Sequence, residues 1–130
     1  MTAYKKLTYS PWGEIQTQEE IAEGIICVST ASHGGYWVDD DLFASMPTAL
    51  KCNVYGTGQW FEEDCEVALV VLAFPDAFEN RFVRAAVGAM EFYGKGGQYH
   101  KAAKWLAESA EGKALRAKLV ESHTFAEVVS

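Results

Sequence analysis

Long apolar runs are missing from this 130-residue chain. None reaches the roughly 18 residues that a membrane-spanning helix needs, and the opening M-T-A-Y-K-K-L-T lacks the apolar centre of a secretory signal. A cytoplasmic protein with no membrane partner is expected. Cysteine is scarce: Cys27, Cys52 and Cys65 are odd in number, never form C-x-x-C and stand too far apart for a zinc knuckle. Reduced thiols follow, with neither metal nor cofactor expected. Also absent are the G-x-x-x-x-G-K-[ST] phosphate loop, the G-x-S-x-G nucleophile elbow, the D-x-D-x-D-G calcium loop, internal repeats and low-complexity tracts.

Basic residues are lacking in the first half. Over residues 1–66 three lysines face eleven acids, a net of -8, whereas residues 67–130 carry eight bases and seven acids. Too few cations cluster to displace counterions from a phosphate backbone, so nonspecific nucleic-acid binding is not expected. Docking onto a basic partner is compatible with the imbalance.

What remains is an ordinary globular composition, 49% hydrophobic and 22% charged, in a chain long enough to bury roughly two-thirds of its extended surface. One domain over 1–130 is expected. After P-W-G, the stretch E-I-Q-T-Q-E-E-I partly alternates and G-I-I-C-V-S-T-A is a β-branched run, which predicts a hairpin linked near Ala22-Glu23-Gly24. A third strand over Gly35 to Val38 completes an antiparallel meander of about three strands. Asp39, Asp40 and Asp41 precede a short helical turn that Pro47 ends. K-C-N-V-Y-G-T-G-Q has strand and then turn character, closing a strand-rich part at about residues 10–58.

From about residue 59 to 130 the signals are helical, which makes the fold class α+β with three to five helices. W-F-E-E-D-C-E leads with acids, where a helix dipole favours them, and Pro75 supplies a stop. Its V-A-L-V-V-L-A-F core suits a buried strand as well, but length and acidic lead favour a helix. Phe78, Phe82, Ala85, Ala86, Ala89 and Tyr93 form one helical stripe ended by Gly94. Gly94-Lys95-Gly96-Gly97 reads as an interhelical turn. Tyr99, Ala103, Leu106 and Ala110 continue helical spacing, Gly112 kinks or breaks it, and Thr124 with Glu127 has the spacing of a capping box for a last helix.

The candidate chemistry is thin. His33, in S-T-A-S-H-G-G-Y-W-V, sits where an imidazole near neutrality and two exposed glycine amides would suit acid–base work or an anion. It equally suits a bend in which the glycines take positive φ. The bend is expected first, a contact second. Cys65 would gain from a helix N-terminus, but Glu62, Glu63, Asp64 and Glu66 oppose a thiolate, and its spacing with Phe61, Ala68, Leu69 and Leu72 places it on an apolar face. Glu62, Glu63 and Asp64 read as a solvated first turn, and Asp39 to Asp41 likewise. Trp37, beside the His33 bend, is the tryptophan expected to make contacts.

P-W-G-E, S-T-A-S-H-G-G-Y-W-V, M-P and W-F-E-E-D-C-E followed by A-F-P, spanning Ser10 to Phe78, resemble an uncharacterised domain family of bacterial plasmid, integrated-element and phage proteins. The resemblance implies a setting among antirestriction and conjugation genes, and inhibitors of restriction or CRISPR complexes that act by binding. Function is therefore expected to be interaction with a host protein or ribonucleoprotein of basic surface, through His33, Trp37, Asp39, Asp40, Asp41, Glu62, Glu63 and Asp64. The rival expectation is a small hydrolase, transferase or ligand-binding module using His33 with Cys65 or a nearby carboxylate.

Overall fold

The computed structural model describes residues 6–94 and 97–129, with 120–129 described by backbone alone. Strands β1 (Tyr9–Ser10) and β2 (Gly13–Glu14) form a small hairpin around Pro11 and Trp12. Strands β3 (Thr17–Ala22), β4 (Ile25–Ser29), β5 (Gly34–Val38) and β6 (Trp60–Glu62) make an antiparallel sheet in chain order. The β3–β4 turn lies at Glu23-Gly24, as expected. Gly24 has φ +85°, which other residues rarely adopt, and a Cβ there would run into the Asp39 carboxylate.

Strand alternation sends the sheet's two faces into two clusters. Ile25, Val38 and Phe61 face the helices, while Ile26, Val28 and Trp37 join Trp12, Ile15 and Trp60 on the other side. The I-I-C-V run reads as continuously apolar because β4 is covered on both faces.

Helix α1 (Asp40–Ser45) starts where the Asp39 carboxylate accepts the Leu42 N–H at 2.8 Å. Pro47 then opens a single 3-10 turn, Thr48–Leu50. Helices α2 (Val67–Ala73), α3 (Asn80–Tyr93), α4 (His100–Glu108) and α5 (Ala110–Val129) follow. The architecture is α+β, sheet first and helices after. Residues 67–73 are helix rather than strand; five consecutive side chains, Ala68 to Leu72, are buried, so no polar face marks the period.

Four local expectations need correction. The helix does not begin near residue 59, because Trp60–Glu62 pairs with β5 as a fourth strand. Residues 51–59 form no strand; several of their amides serve a buried carboxylate instead of a ladder. The break after α4 falls at Ser109, not Gly112: the Ser109 hydroxyl accepts the Gly112 N–H at 2.9 Å, as a helix cap should. Gly112 is the close-approach residue, since a Cβ there would lie 2.7 Å from the Leu106 Cα. Thr124 lies inside α5, so no new helix starts there. In the turn after Gly94, Lys95 and Gly96 lie outside the described residues.

Candidate functional site

Between β6 and α2 the chain turns within Glu63–Glu66, and the acids at its two ends, Glu62 and Glu66, face inward. Glu66 is fully buried. Its Oε2 accepts the N–H groups of Val54 and Tyr55, the latter at 2.8 Å, and its Oε1 accepts those of Gly56 at 2.8 Å and Glu62 at 3.1 Å. Amides that no ladder pairs thus find a charged acceptor. Gly56 must be small, because a Cβ would collide with the Trp60 carbonyl. Glu62, only 7% exposed, accepts the Asp64 N–H at 2.9 Å and the Cys65 N–H at 3.4 Å, closing the turn. Burial lifts its carboxyl above the ordinary value of 4.5, against the opposing pull of those two donors.

The same turn pushes Glu63, Asp64 and Cys65 to the rim of a groove of about 610 Å³. One wall is the flank of α3 carrying Phe82, Ala85 and Ala89, with Phe78 below it; the opposite wall is the sheet face at Ile21 and Tyr36. Among the described residues the lining holds no lysine or arginine, and Glu63, Asp64 and Glu79 edge it. Glu63 is seated by Gly34: its N–H donates to the Gly34 carbonyl at 3.2 Å, and a Cβ on Gly34 would come within 2.5 Å of its carboxylate. Glu79 pairs with Arg81 at 3.4 Å, both well exposed, a contact worth little. Burial foremost, then the neighbouring Cys27 thiol, pushes the Tyr36 hydroxyl up to about 12, so it stays protonated.

The helical stripe legible in the sequence lies on α3 only from Phe82 onward, Phe78 preceding the helix in extended backbone, and it has another destination. The core takes Val83, Ala86, Val87 and Met90, whereas Phe82 is 46% exposed and its stripe lines the groove. Two apolar stripes on one helix, both visible as i, i+3, i+4 spacings, were the available signal for a second covered face. Tyr36 and Glu79 had no such signal.

The expected site residues separate. His33 is exposed; its backbone closes a turn with Thr30, whose N–H reaches the His33 carbonyl at 2.7 Å, and its imidazole is not part of the groove that Cys65 lines. The described residues show no hydrogen bond from it to Cys65 or to a carboxylate. Cys65 does line the groove, half-buried, with its thiol pushed up by burial first and then by Glu62, Asp64 and Glu66. Trp37 is 8% exposed and belongs to the sheet's second cluster. Asp39 caps α1, Asp40 accepts the Gln59 side-chain amide at 2.7 Å and Asp41 is exposed. Asp39 follows the last residue of β5 and Glu63 lies against its first, so the two acidic groups stand roughly 15 Å apart along the strand. Glu62 is not a solvated residue of a first turn but a buried one.

Among the described residues no group of three or more His, Cys, Asp or Glu is placed to hold a metal ion. No described helix is long and apolar enough to cross a membrane.

The profile of a domain of unknown function, DUF7007, matches residues 5–124. The chain belongs to the DUF7007 family. The match runs beyond the Ser10–Phe78 stretch and through most of the helical half, so the groove and the buried carboxylates fall within the family's domain. No curated protein and no solved structure matches the chain.

Proposed function

We propose that this DUF7007 protein is a protein-binding module whose groove takes a basic, apolar segment of its partner. The observation that carries the reading is the lining: apolar walls from α3 and the sheet, with Glu63, Asp64 and Glu79 at the edge and no cation among the described lining residues. Apolar contact supplies affinity in such a site, and the rim charge selects basic partners and speeds their encounter. The second acidic group, Asp39 to Asp41, is committed in part to capping α1 and to Gln59, so it plays the lesser part. Catalysis through His33 and Cys65 finds no support in an exposed imidazole and a thiol raised by burial.

In the plasmid and phage setting that the sequence motifs resemble, the partner is a host defence protein or ribonucleoprotein in the bacterial cytoplasm, and the module is an anti-CRISPR or antirestriction inhibitor that masks its basic surface. Affinity capture from a nuclease-treated bacterial lysate, read by mass spectrometry, tests the reading. A partner held by the wild type and by Asp41→Lys, but lost by Glu63→Lys/Asp64→Lys and by Ala85→Trp, is expected. Retention of that partner by both groove variants would overturn it.

A further inference from the structure

The groove has the shape of a missing helix. Glu19, Cys27, Tyr36 and Phe61 form one row across the helix-facing side of the sheet, from β3 to β6. Exposure runs along it: Phe61 is fully buried, Tyr36 and Cys27 are half-buried, and Glu19 is exposed. Helices cover the β6 edge and leave β3 open at Glu19, while Ile21 and Ala22 farther along β3 pack against the core. Three strand spacings of about 4.8 Å make the row about 14 Å wide, and one helix about 10 Å across cannot span it.

Beside the open strip stands the flank of α3. Ala85 and Ala89 are one turn apart and small enough to let a second backbone come close. With 14 residues, α3 offers about 21 Å of wall. A strand would add instead at the edge of β3, where Glu19 and Glu20 and the irregular register before Ala22 discourage pairing.

Charge completes the specification. Glu19 stands opposite Cys27 on β3 and Glu63 lies against Gly34 at the start of β5, so an acid flanks the open strip on each of these sides. Neither they nor Asp64 has an ion pair among the described residues. Arg81 brings one cation to the Phe82 end, lying 4.7 Å from that ring and paired with Glu79. With a net charge of -7, a second copy of the chain complements this rim poorly.

Resting on the groove reading above, we infer that the occupant is an amphipathic α-helix of the partner protein, lying over β3 and β4 against Ala85 and Ala89, with lysines or arginines flanking its apolar stripe. Bound, it completes the helical layer of the sheet.

Three labelled synthetic peptides of about 16 residues, long enough for a marginal helix, test the inference by fluorescence anisotropy against the full chain. The first carries leucines at helical spacing with lysines elsewhere. The second has the same composition in strict alternation, and the third has glutamate for lysine. The first is expected to bind about tenfold or more tightly than either other, to gain helical circular dichroism on binding, and to weaken about tenfold with Ala85→Trp or with Glu63→Lys/Asp64→Lys. Ala85 is exposed, so the fold tolerates its replacement; amide chemical shifts at Tyr36, Cys65 and Ala89 locate the peptide in the unchanged protein.

Equal or tighter binding of the alternating peptide overturns the helical occupant while leaving the groove reading intact. Binding of the first peptide that neither groove variant weakens overturns both. Failure of all three peptides to bind overturns the helical occupant, and the lysate capture then judges the groove by itself. A wild-type dimer that excludes the peptide assigns the groove to a second copy and ends the inference.

Discussion

The Gly56 N–H donates to the fully buried Glu66 carboxylate at 2.8 Å, ten residues away in sequence. Together with the Val54, Tyr55 and Glu62 amides it makes Glu66 the post around which the loop before β6 is wound. A glutamine there presents one acceptor oxygen and one amino group to four N–H donors. Glu66→Gln is expected to lower the unfolding free energy by about 3 kcal/mol, as buried donors lose a charged acceptor. Urea denaturation checks it; a loss within 0.5 kcal/mol or so would show the amides satisfied elsewhere.

Gly88 lies on the solvent side of α3, and a Cβ there would meet nothing within 4 Å. Replacement by alanine removes chain entropy from the unfolded state without a clash. Gly88→Ala is expected to stabilise the protein by about 0.5–1 kcal/mol, raising the thermal midpoint by several degrees and leaving peptide affinity at the groove unchanged.

Glu62 makes stability depend on pH in an unusual direction for a carboxylate. Burial raises its folded pKa above the ordinary 4.5, so its contribution is fully present below that value and is lost as pH rises through the folded pKa. Glutamine does not titrate. The stability of wild type relative to Glu62→Gln is therefore expected to fall as pH is raised from about 4.5 towards neutrality. Urea midpoints of the two proteins in parallel buffers measure the difference; a relative stability that rises with pH contradicts the burial account.

The Cys27, Cys52 and Cys65 thiols are all pushed above their usual value of 9.0, in each case chiefly by burial. Nucleophilic thiolate is correspondingly scarce near neutral pH. Iodoacetamide labelling of the native protein at pH 7.5 is expected to be slower than that of a free cysteine at each site, with Cys65 accelerating when Glu63 and Asp64 are reversed to lysine. Rapid labelling of Cys65 in the wild type would revive a catalytic thiol.

Some of the fold was legible because its causes are local. The turn at Gly24, the cap at Asp39, the stop at Pro47 and the end of α3 at Gly94 each depend on residues within four positions of one another. The strand Trp60–Glu62 was not legible: three residues preceding an acid-rich, apolar tract look like the start of its helix, and only pairing with β5 makes them a strand. The candidate site divided in the same way. The acid cluster and the α3 stripe could be read directly, but Glu62 and Glu63 are chain neighbours of one type, and nothing in their order says that one is buried and the other exposed.

By itself, then, the sequence determined the α+β order, the excess of acid in the first half and the apolar side chains that α3 carries, since composition and short-range periodicity encode these. Tertiary structure decided where they point. Glu66 turns inward because unpaired amides ten to twelve residues away need an acceptor, and Phe82, Ala85 and Ala89 line a groove because α3 spends Val83, Val87 and Met90 on the core. An apolar or charged residue can be recognised alone, but what covers it is fixed only when distant parts of the chain meet.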